Sequence, residues 1–158
     1  SYYILDCDKQ QKIADSLYGY YVGLTANKTP TEFWNKLSRQ QIKDYFSIPN
    51  NPTMHWFNDI GLRVRDMSFT IYNETISTDI HKDEPPVVAK VNFPVLNTHD
   101  TYNVWSDDYA REIDRGECIK PIVLRSDILH TVEIGNSAKL PRLQFSFCFY
   151  NEPFHLLK

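Results

Sequence analysis

At 158 residues the chain is long enough to bury a core without disulfide or metal staples, and its length predicts one domain. Its formal net charge of -3 and its 23% of charged residues are ordinary. The composition therefore gives no sign of a basic surface that would attract nucleic acids or anionic membranes. We expect no nucleic-acid partner. The 14% of aromatic residues suits a β-rich core and argues against disorder.

The three cysteines, Cys7, Cys118 and Cys148, form no CxxC pair, and one of them must be left over. This fits a reducing compartment and not a disulfide framework. No apolar run approaches the roughly 20 residues of a membrane span, and the first residues lack the pattern of a signal peptide. The sequence predicts a cytoplasmic protein without a membrane partner.

The first part of the chain carries mostly helical patterns. Residues 2–5 are a candidate opening strand. Apolar residues then recur at helical spacing over residues 9–24, which predicts an amphipathic helix. Residues 29–32, Thr-Pro-Thr-Glu, have the sequence of a capping box and predict a second helix that carries Phe33, Trp34 and Leu37.

Two further short helices are predicted by their first residues. Ser38 and Gln41 repeat the capping-box spacing, so a helix is expected to run to Phe46. The pair Asn51-Pro52 predicts another helix, which ends near Asp59 before Gly61.

After Gly61 the pattern changes to the alternation of strands. Strands are predicted over residues 62–72, 87–96, 101–105, 119–124, 130–134 and 140–150. Residues 106–118 are polar and charged and predict a surface loop. Helices followed by strands indicate an α+β, mainly β protein with an antiparallel sheet. We expect one domain over residues 1–158, with helical support from residues 1–60 and a β core from residues 61–150.

The last strand has two distinct faces. Leu143, Phe145, Phe147 and Phe149 alternate with polar residues that begin with Arg142 and Gln144. The N-terminal helices can cover the aromatic face. The polar face would then look into the mouth of a β-barrel or sandwich, where small β-barrels bind ligands.

Two histidines and an aspartate have the spacing of a metal site. His81 and Asp83 are two residues apart, so in an extended strand both side chains point the same way. His130 follows after a turn, where another strand begins. Two imidazoles and one carboxylate are the ligands of mononuclear non-haem iron(II) sites with open coordination positions. The pattern predicts such a site, with Arg142 on the next strand as a candidate to bind the carboxylate of a co-substrate.

This order, H-x-D, a distant His and an Arg on the last strand, resembles the iron(II)- and 2-oxoglutarate-dependent oxygenases over residues 62–150. The resemblance is closest to small stand-alone members, such as those carried by bacteriophages, and to prolyl- and aspartyl/asparaginyl-hydroxylase-like proteins. It implies a double-stranded β-helix, a jelly-roll or cupin-like barrel, with N-terminal helices packed on one sheet. It also implies that His81, Asp83 and His130 bind Fe(II) and that Arg142 pairs with the distal carboxylate of 2-oxoglutarate.

The implied reaction uses O2, hydroxylates a substrate and releases succinate and CO2, and it needs no catalytic residue beyond the metal ligands. Some branches of the family place a Ser two residues after the arginine, where this chain has Gln144. Gln144 is a candidate to contact the co-substrate. Tyr72, Asn92, Asn97 and Trp105 are further candidates for the pocket, and packing or turn chemistry is the alternative explanation for each of them.

Two other functions are compatible with these residues. One is a cupin-like metal enzyme that does not use 2-oxoglutarate, in which Arg142 would have no clear role. The other is a non-catalytic β-sandwich binding protein. For the oxygenase, a peptidyl side chain and a small molecule are both candidate substrates.

Overall fold

The computed structural model describes residues 2–26, 33–73, 79–83 and 88–157. In these residues three α-helices lie in the N-terminal part and most of the strands follow them. The elements in chain order are β1 Tyr2–Ile4, α1 Gln10–Thr25, β2 Trp34–Lys36, α2 Arg39–Phe46, α3 Pro52–Asp59, β3 Val64–Tyr72, β4 Ala89–Leu96, β5 Thr101–Ser106, β6 Glu112–Glu117, β7 Ile122–Arg125, β8 His130–Ile134 and β9 Arg142–Phe149, with a final 3-10 turn at Pro153–Leu156.

The strands form two antiparallel sheets. The larger sheet has the order β1-β7-β4-β9-β3-β2, and the smaller sheet has the order β6-β5-β8. Neighbours in both sheets come from distant parts of the chain, as where β3 pairs with β9 from Val64–Phe149 to Tyr72–Arg142. The predicted α+β, mainly β class with antiparallel sheets is confirmed.

The short helices begin and end where their capping residues predict. The hydroxyl of Ser38 accepts a hydrogen bond from the backbone N–H of Gln41, and the Gln41 side chain accepts one from the backbone of Ser38. Asn51 accepts bonds from two N–H groups at the start of α3. Gly61 has a φ of 78°, the left-handed conformation that glycine adopts without strain after a helix. No described helix combines the length and hydropathy that crossing a membrane would need.

Two predicted elements differ from the structure. Residues 29–32, the predicted helix start, lie outside the described residues, but Trp34–Lys36 is a strand, so the helix predicted through Phe33, Trp34 and Leu37 is wrong. Backbone pairing with β3, with Trp34 opposite Thr70, replaces the local helical bonds. The surface loop predicted over residues 106–118 holds for residues 107–111 but is wrong for Glu112–Glu117, because β6 pairs with β5 there.

The main core lies between the larger sheet and the helices. Phe145 and Phe147 of β9 are fully buried there, against Ile13 and Leu17 of α1 and Phe57 of α3. The rings of Phe57 and Phe147 meet edge to face at 4.9 Å. The aromatic face of the last strand is therefore covered by the N-terminal helices, as its alternation predicted, and its polar face is turned away from them.

The polar face of the larger sheet is turned toward the smaller sheet. Trp105 of β5 packs there against Ile122 and Leu124 of β7. At another point Arg142 of β9 reaches Thr101 of β5. Residues on this face of β9, β4 and β3 consequently share the space between the two sheets.

Candidate metal centre

A short backbone bridge brings the two histidines together. The N–H of His81 donates to the carbonyl of His130 at 3.0 Å, and the N–H of His130 donates back at 2.9 Å. The N–H of Asp83 donates to the carbonyl of Ser126 at 2.9 Å, in the turn before β8. Residues opposite each other in an antiparallel pair place their side chains on the same face. Two segments far apart in sequence are thus held side by side.

The three side chains converge on one point. The Oδ1 atom of Asp83 lies 3.8 Å from the Nε2 of His81 and 3.6 Å from the Nε2 of His130. One donor atom from each residue lies within 4.8 Å of the other two. Separations of this size suit three donors around one ion, and the combination of imidazole and carboxylate suits a first-row divalent metal.

Hydrogen bonds orient both imidazole rings in the same way. The Nδ1 of His81 is 2.8 Å from the carbonyl oxygen of Asp79, and the Nδ1 of His130 is 2.7 Å from that of Ile128. Only a protonated Nδ1 can donate to a carbonyl, and in that tautomer of the neutral ring the lone pair is on Nε2, the atom directed at the cluster. This is the arrangement in which a histidine binds a metal.

His130 is buried, and its Nε2 has no hydrogen-bond partner among the described residues. Burial lowers the pKa of His130, although its bond to Ile128 and the charge of Asp83 act in the other direction. The ring is consequently neutral at neutral pH and able to bind a metal. A buried acceptor without a partner is costly, and a metal ion would satisfy it.

Asp83 is held as an anion by a lysine. Burial would raise the pKa of Asp83, but the charge and hydrogen bond of Lys90, with a contribution from the two imidazoles, hold this pKa below its ordinary value. The Nζ of Lys90 lies 2.9 Å from Oδ2 of Asp83. Sequence reasoning missed Lys90. Its only signal is its position on the same face of β4 as Asn92.

Arg142 is a buried cation with donor capacity to spare. Its side chain is fully buried, its Nη2 donates to Oε1 of Gln144 at 2.8 Å, and its Nε lies 3.4 Å from the hydroxyl of Thr101. The ring of Tyr72 lies 5.4 Å from the guanidinium carbon. Nη1 is buried without a partner, and no carboxylate forms an ion pair with Arg142 in the described ranges. Such a group is suited to an anion that enters from outside.

A row of polar side chains leads from this arginine toward the cluster. Gln144 and Ser146 follow Arg142 on the same face of β9, and the hydroxyl of Ser146 donates to Asn92 on β4 at 2.7 Å. Lys90 is the next residue on that face of β4, and it contacts Asp83. The row begins at Arg142 and ends at the carboxylate of the candidate metal centre.

The other predicted contacts divide into two groups. Tyr72, Gln144 and Asn92 are buried on the polar face of the larger sheet, and the first two contact Arg142. Asn97 has a φ of 55° and donates to the carbonyl of Pro141, which is turn chemistry. Trp105 stacks on Tyr2 at 5.0 Å and donates to a backbone carbonyl, which is packing.

A hydroxyl on β3 was not predicted at all. Thr70 lies opposite Gln144 in the pairing of β3 with β9, so it is on the same face as Arg142. Its Oγ1 is buried and has no partner among the described residues. The only sequence signal for Thr70 is the alternation of β3, which places it on the polar face.

No protein-family model matches the sequence, and neither does any curated protein. Solved structures do match. The non-heme alpha ketoglutarate dependent epimerase SnoN from nogalamycin biosynthesis superposes with a TM-score of 0.59 at 12% identity, over 92% of this chain and 76% of SnoN.

Two prolyl hydroxylases match over a larger share of their length. The Pseudomonas putida prolyl-4-hydroxylase has a TM-score of 0.52 at 12% identity, over 96% of this chain and 92% of that chain. The Trichoplax adhaerens prolyl hydroxylase, solved with a peptide fragment of hypoxia inducible factor, has a TM-score of 0.54 at 10% identity, over 99% and 87%. The chain has the fold of the 2-oxoglutarate-dependent oxygenases. The resemblance predicted from the sequence is thus confirmed at the level of the oxygenase fold.

Proposed function

We propose that the chain is an Fe(II)- and 2-oxoglutarate-dependent dioxygenase that hydroxylates its substrate and releases succinate and CO2. The observation that carries this proposal is Arg142, a fully buried cation whose Nη1 has no partner among the described residues. It stands at one end of a polar row whose other end is the cluster of His81, Asp83 and His130. We further propose that the two sheets form the double-stranded β-helix typical of this fold.

The donor set of the cluster fits Fe(II). Two imidazoles and a carboxylate supply three donors and leave coordination positions open for a chelating co-substrate and O2. When bound, iron supplies the redox chemistry of O2 that amino-acid side chains lack. The protein's part is orientation: the carbonyls of Asp79 and Ile128 fix the rings of His81 and His130 through their Nδ1–H groups.

2-Oxoglutarate is a dicarboxylate, so one end is free when the other binds the metal. We propose that Nη1 of Arg142 donates to this free carboxylate. Gln144 holds Nη2 and the ring of Tyr72 lies against the guanidinium, so the cation is oriented before the co-substrate arrives. Asn92 and Thr70 are the further proposed contacts on the same face. Burial strengthens this ion pair, because little water competes for the carboxylate.

The substrate is proposed as a peptidyl side chain or a small molecule. The matched Trichoplax protein is a prolyl hydroxylase in complex with a peptide fragment, and SnoN is an epimerase from nogalamycin biosynthesis. Either class reaches the cluster from the side of His81, whose side chain is 48% exposed, whereas that of His130 is 8% exposed.

The proposal is tested by titrating metal-free protein with Fe(II) and 2-oxoglutarate in the absence of O2. A 2-oxo acid chelated to iron(II) gives a weak visible charge-transfer band. We expect the band in the unaltered protein, and we expect Arg142→Ala to raise the 2-oxoglutarate concentration that gives half of it by about tenfold or more, because a charge-assisted hydrogen bond is lost. Arg111→Ala, at an exposed arginine on the surface, is the matched control and should leave the titration unchanged.

Three results would contradict the proposed function or the proposed role of Arg142. Iron bound without a band indicates a cupin-like metal enzyme that does not use 2-oxoglutarate. Absence of iron binding indicates a non-catalytic binding protein. A band that is unchanged in Arg142→Ala would mean that another residue binds the co-substrate. After O2 is admitted, release of succinate from 2-oxoglutarate tests the reaction itself.

A further inference from the structure

The two oxygen atoms of Asp83 face different groups. Oδ1 lies 3.8 Å and 3.6 Å from the Nε2 atoms of His81 and His130, and it is thus the oxygen turned to the cluster. Oδ2 lies 2.9 Å from the Nζ of Lys90. The ammonium of Lys90 thus competes for the second oxygen that a bidentate carboxylate would give to a metal.

Lys90 is held in place by the fold around it. It lies in β4 between Ala89 and Val91, which are both buried, and its side chain is 18% exposed. Its backbone is paired with Leu124 of β7. Asp83 is fixed from the other side, because its N–H donates to the carbonyl of Ser126. The ion pair therefore joins two anchored segments.

We infer that Lys90 is a positioning residue that keeps Asp83 monodentate, so that the metal retains its full set of open coordination positions. This inference rests on the proposed metal site. An octahedral ion with three single-atom protein ligands keeps three positions for water, co-substrate or O2. A bidentate carboxylate would occupy one of them, and a chelating 2-oxo acid and O2 could no longer bind together.

Lys90 also has an effect that opposes metal binding. Its positive charge lies close to the proposed site of the dication and would repel the metal. The ammonium also competes with the metal for the carboxylate of Asp83. Removal of the lysine therefore has an unusual expected result, in which the metal binds more tightly but offers fewer open positions. A lysine that only supported the local structure would give the opposite sign, because loss of a supporting contact loosens the ligands.

Mn(II) serves as the probe, because its EPR signal reports the water molecules bound to it. The readouts are the dissociation constant of Mn(II) and the number of bound waters, from line broadening in water enriched in oxygen-17. The variants are Lys90→Met, which removes charge and donor, and Lys90→Arg, which keeps both. Lys120→Met, at an exposed lysine, is the matched control for loss of a positive charge.

In the unaltered protein we expect three bound waters. In Lys90→Met we expect two, together with about tenfold tighter Mn(II) binding from the loss of charge repulsion. Lys90→Arg should restore three waters, and Lys120→Met should change neither quantity. Far-ultraviolet circular dichroism checks that each variant is folded.

Two waters in the unaltered protein would overturn the inference without any variant, because Asp83 would then be bidentate beside Lys90. Three waters in folded Lys90→Met would overturn it as well, whatever the dissociation constant of Mn(II). Absence of Mn(II) and Fe(II) binding in the unaltered protein is a different outcome, since it rejects the proposed metal site itself.

Discussion

The hydroxyl of Thr70 is buried and forms no hydrogen bond within the described residues, and it lies on the same face as Arg142, whose Nη1 also has no partner there. We propose that it is kept for the carboxylate that Arg142 binds. Thr70→Val keeps the shape of the side chain and removes the hydroxyl. We expect it to weaken 2-oxoglutarate binding about tenfold, since a hydrogen bond to a charged group contributes roughly 1.5–3 kcal/mol. The anaerobic titration with iron measures this change.

The same substitution should leave the free energy of unfolding nearly unchanged, because the hydroxyl has no partner to lose. Thr53→Val is the matched control. The hydroxyl of Thr53 is within 2.6 Å of that of Tyr45 in the core, so its removal should cost about 1 kcal/mol of stability without a change in 2-oxoglutarate binding. Equal effects of the two variants on the titration would contradict a special role for Thr70.

Some residues of the candidate site could be predicted from the sequence and others could not. His81, Asp83 and Arg142 were predicted because the two-residue period of a strand fixes which side chains share a face. Lys90 and Thr70 were not, because their relevance depends on which strands become neighbours. Thr70 is opposite Gln144, 74 residues away, only because β3 pairs with β9 in one particular register. No local pattern contains that register.

At the scale of the elements, the caps of α2 and α3 differ in burial, and their contributions to stability should differ accordingly. Ser38 bonds to Gln41 at an exposed helix start. Asn51 is fully buried, and besides capping α3 it donates to the carbonyl of Tyr45 at 2.8 Å. We expect Ser38→Ala to cost about 1 kcal/mol and Asn51→Ala to cost about 2–3 kcal/mol. Urea unfolding measures both.

The reason for this order is that water can replace the lost cap in Ser38→Ala, whereas Asn51→Ala leaves several buried backbone groups without partners. Gln40→Ala, on the exposed surface of α2, is the control and should change stability by less than about 0.5 kcal/mol. A larger loss from Ser38→Ala than from Asn51→Ala would show that burial does not determine the cost of these caps.

The elements that the sequence did not predict are those held by distant partners. β2 has only three residues. In the sequence Phe33 and Trp34 are compatible with the apolar face of a helix, but in the structure their backbone pairs with β3. β6 is rich in charge, which is typical of loops. In the sheet, however, Arg115 of β6 bonds to Glu112 and to Glu133 of the distant strand β8, so the charges pair with each other on the exposed side. The capping residues of α2 and α3 act locally, and these two helices were therefore predictable.

At the scale of the whole molecule, Asp66 links the N-terminal elements to the strand core. On β3 it pairs with Arg65 at 2.8 Å, and it also pairs with Arg39 of α2 and, at 3.9 Å, with Lys36 of β2. Burial acts to raise the pKa of Asp66, but these three cations outweigh it and hold the pKa below its ordinary value of 3.8.

A carboxyl group whose pKa is lower in the folded than in the unfolded state contributes stability above its unfolded pKa, and this stability is lost as the pH falls through the folded pKa. We therefore expect Asp66→Asn to be less stable than the unaltered protein at pH 7 and the difference to shrink below about pH 4. Unfolding in urea at both pH values measures it. A difference that is constant with pH would mean that Asp66 acts through packing and not through its charge.

The candidate metal centre also bears on the stability of the whole chain, since it joins the segment of His81 and Asp83 to β8, which begins 47 residues beyond Asp83 in sequence. A ligand that binds only the folded state stabilises it, by about 2.7 kcal/mol at a concentration 100 times its dissociation constant. For a domain of this size, Mn(II) at that level should raise the midpoint of thermal unfolding by about 5–10 °C.

Added chelator should reverse this rise. Asp83→Ala should abolish the rise, while Asp108→Ala, at an exposed carboxylate, should not. An equal rise in Asp83→Ala would mean that Mn(II) stabilises the protein from another site, and the three residues would then lose their proposed role.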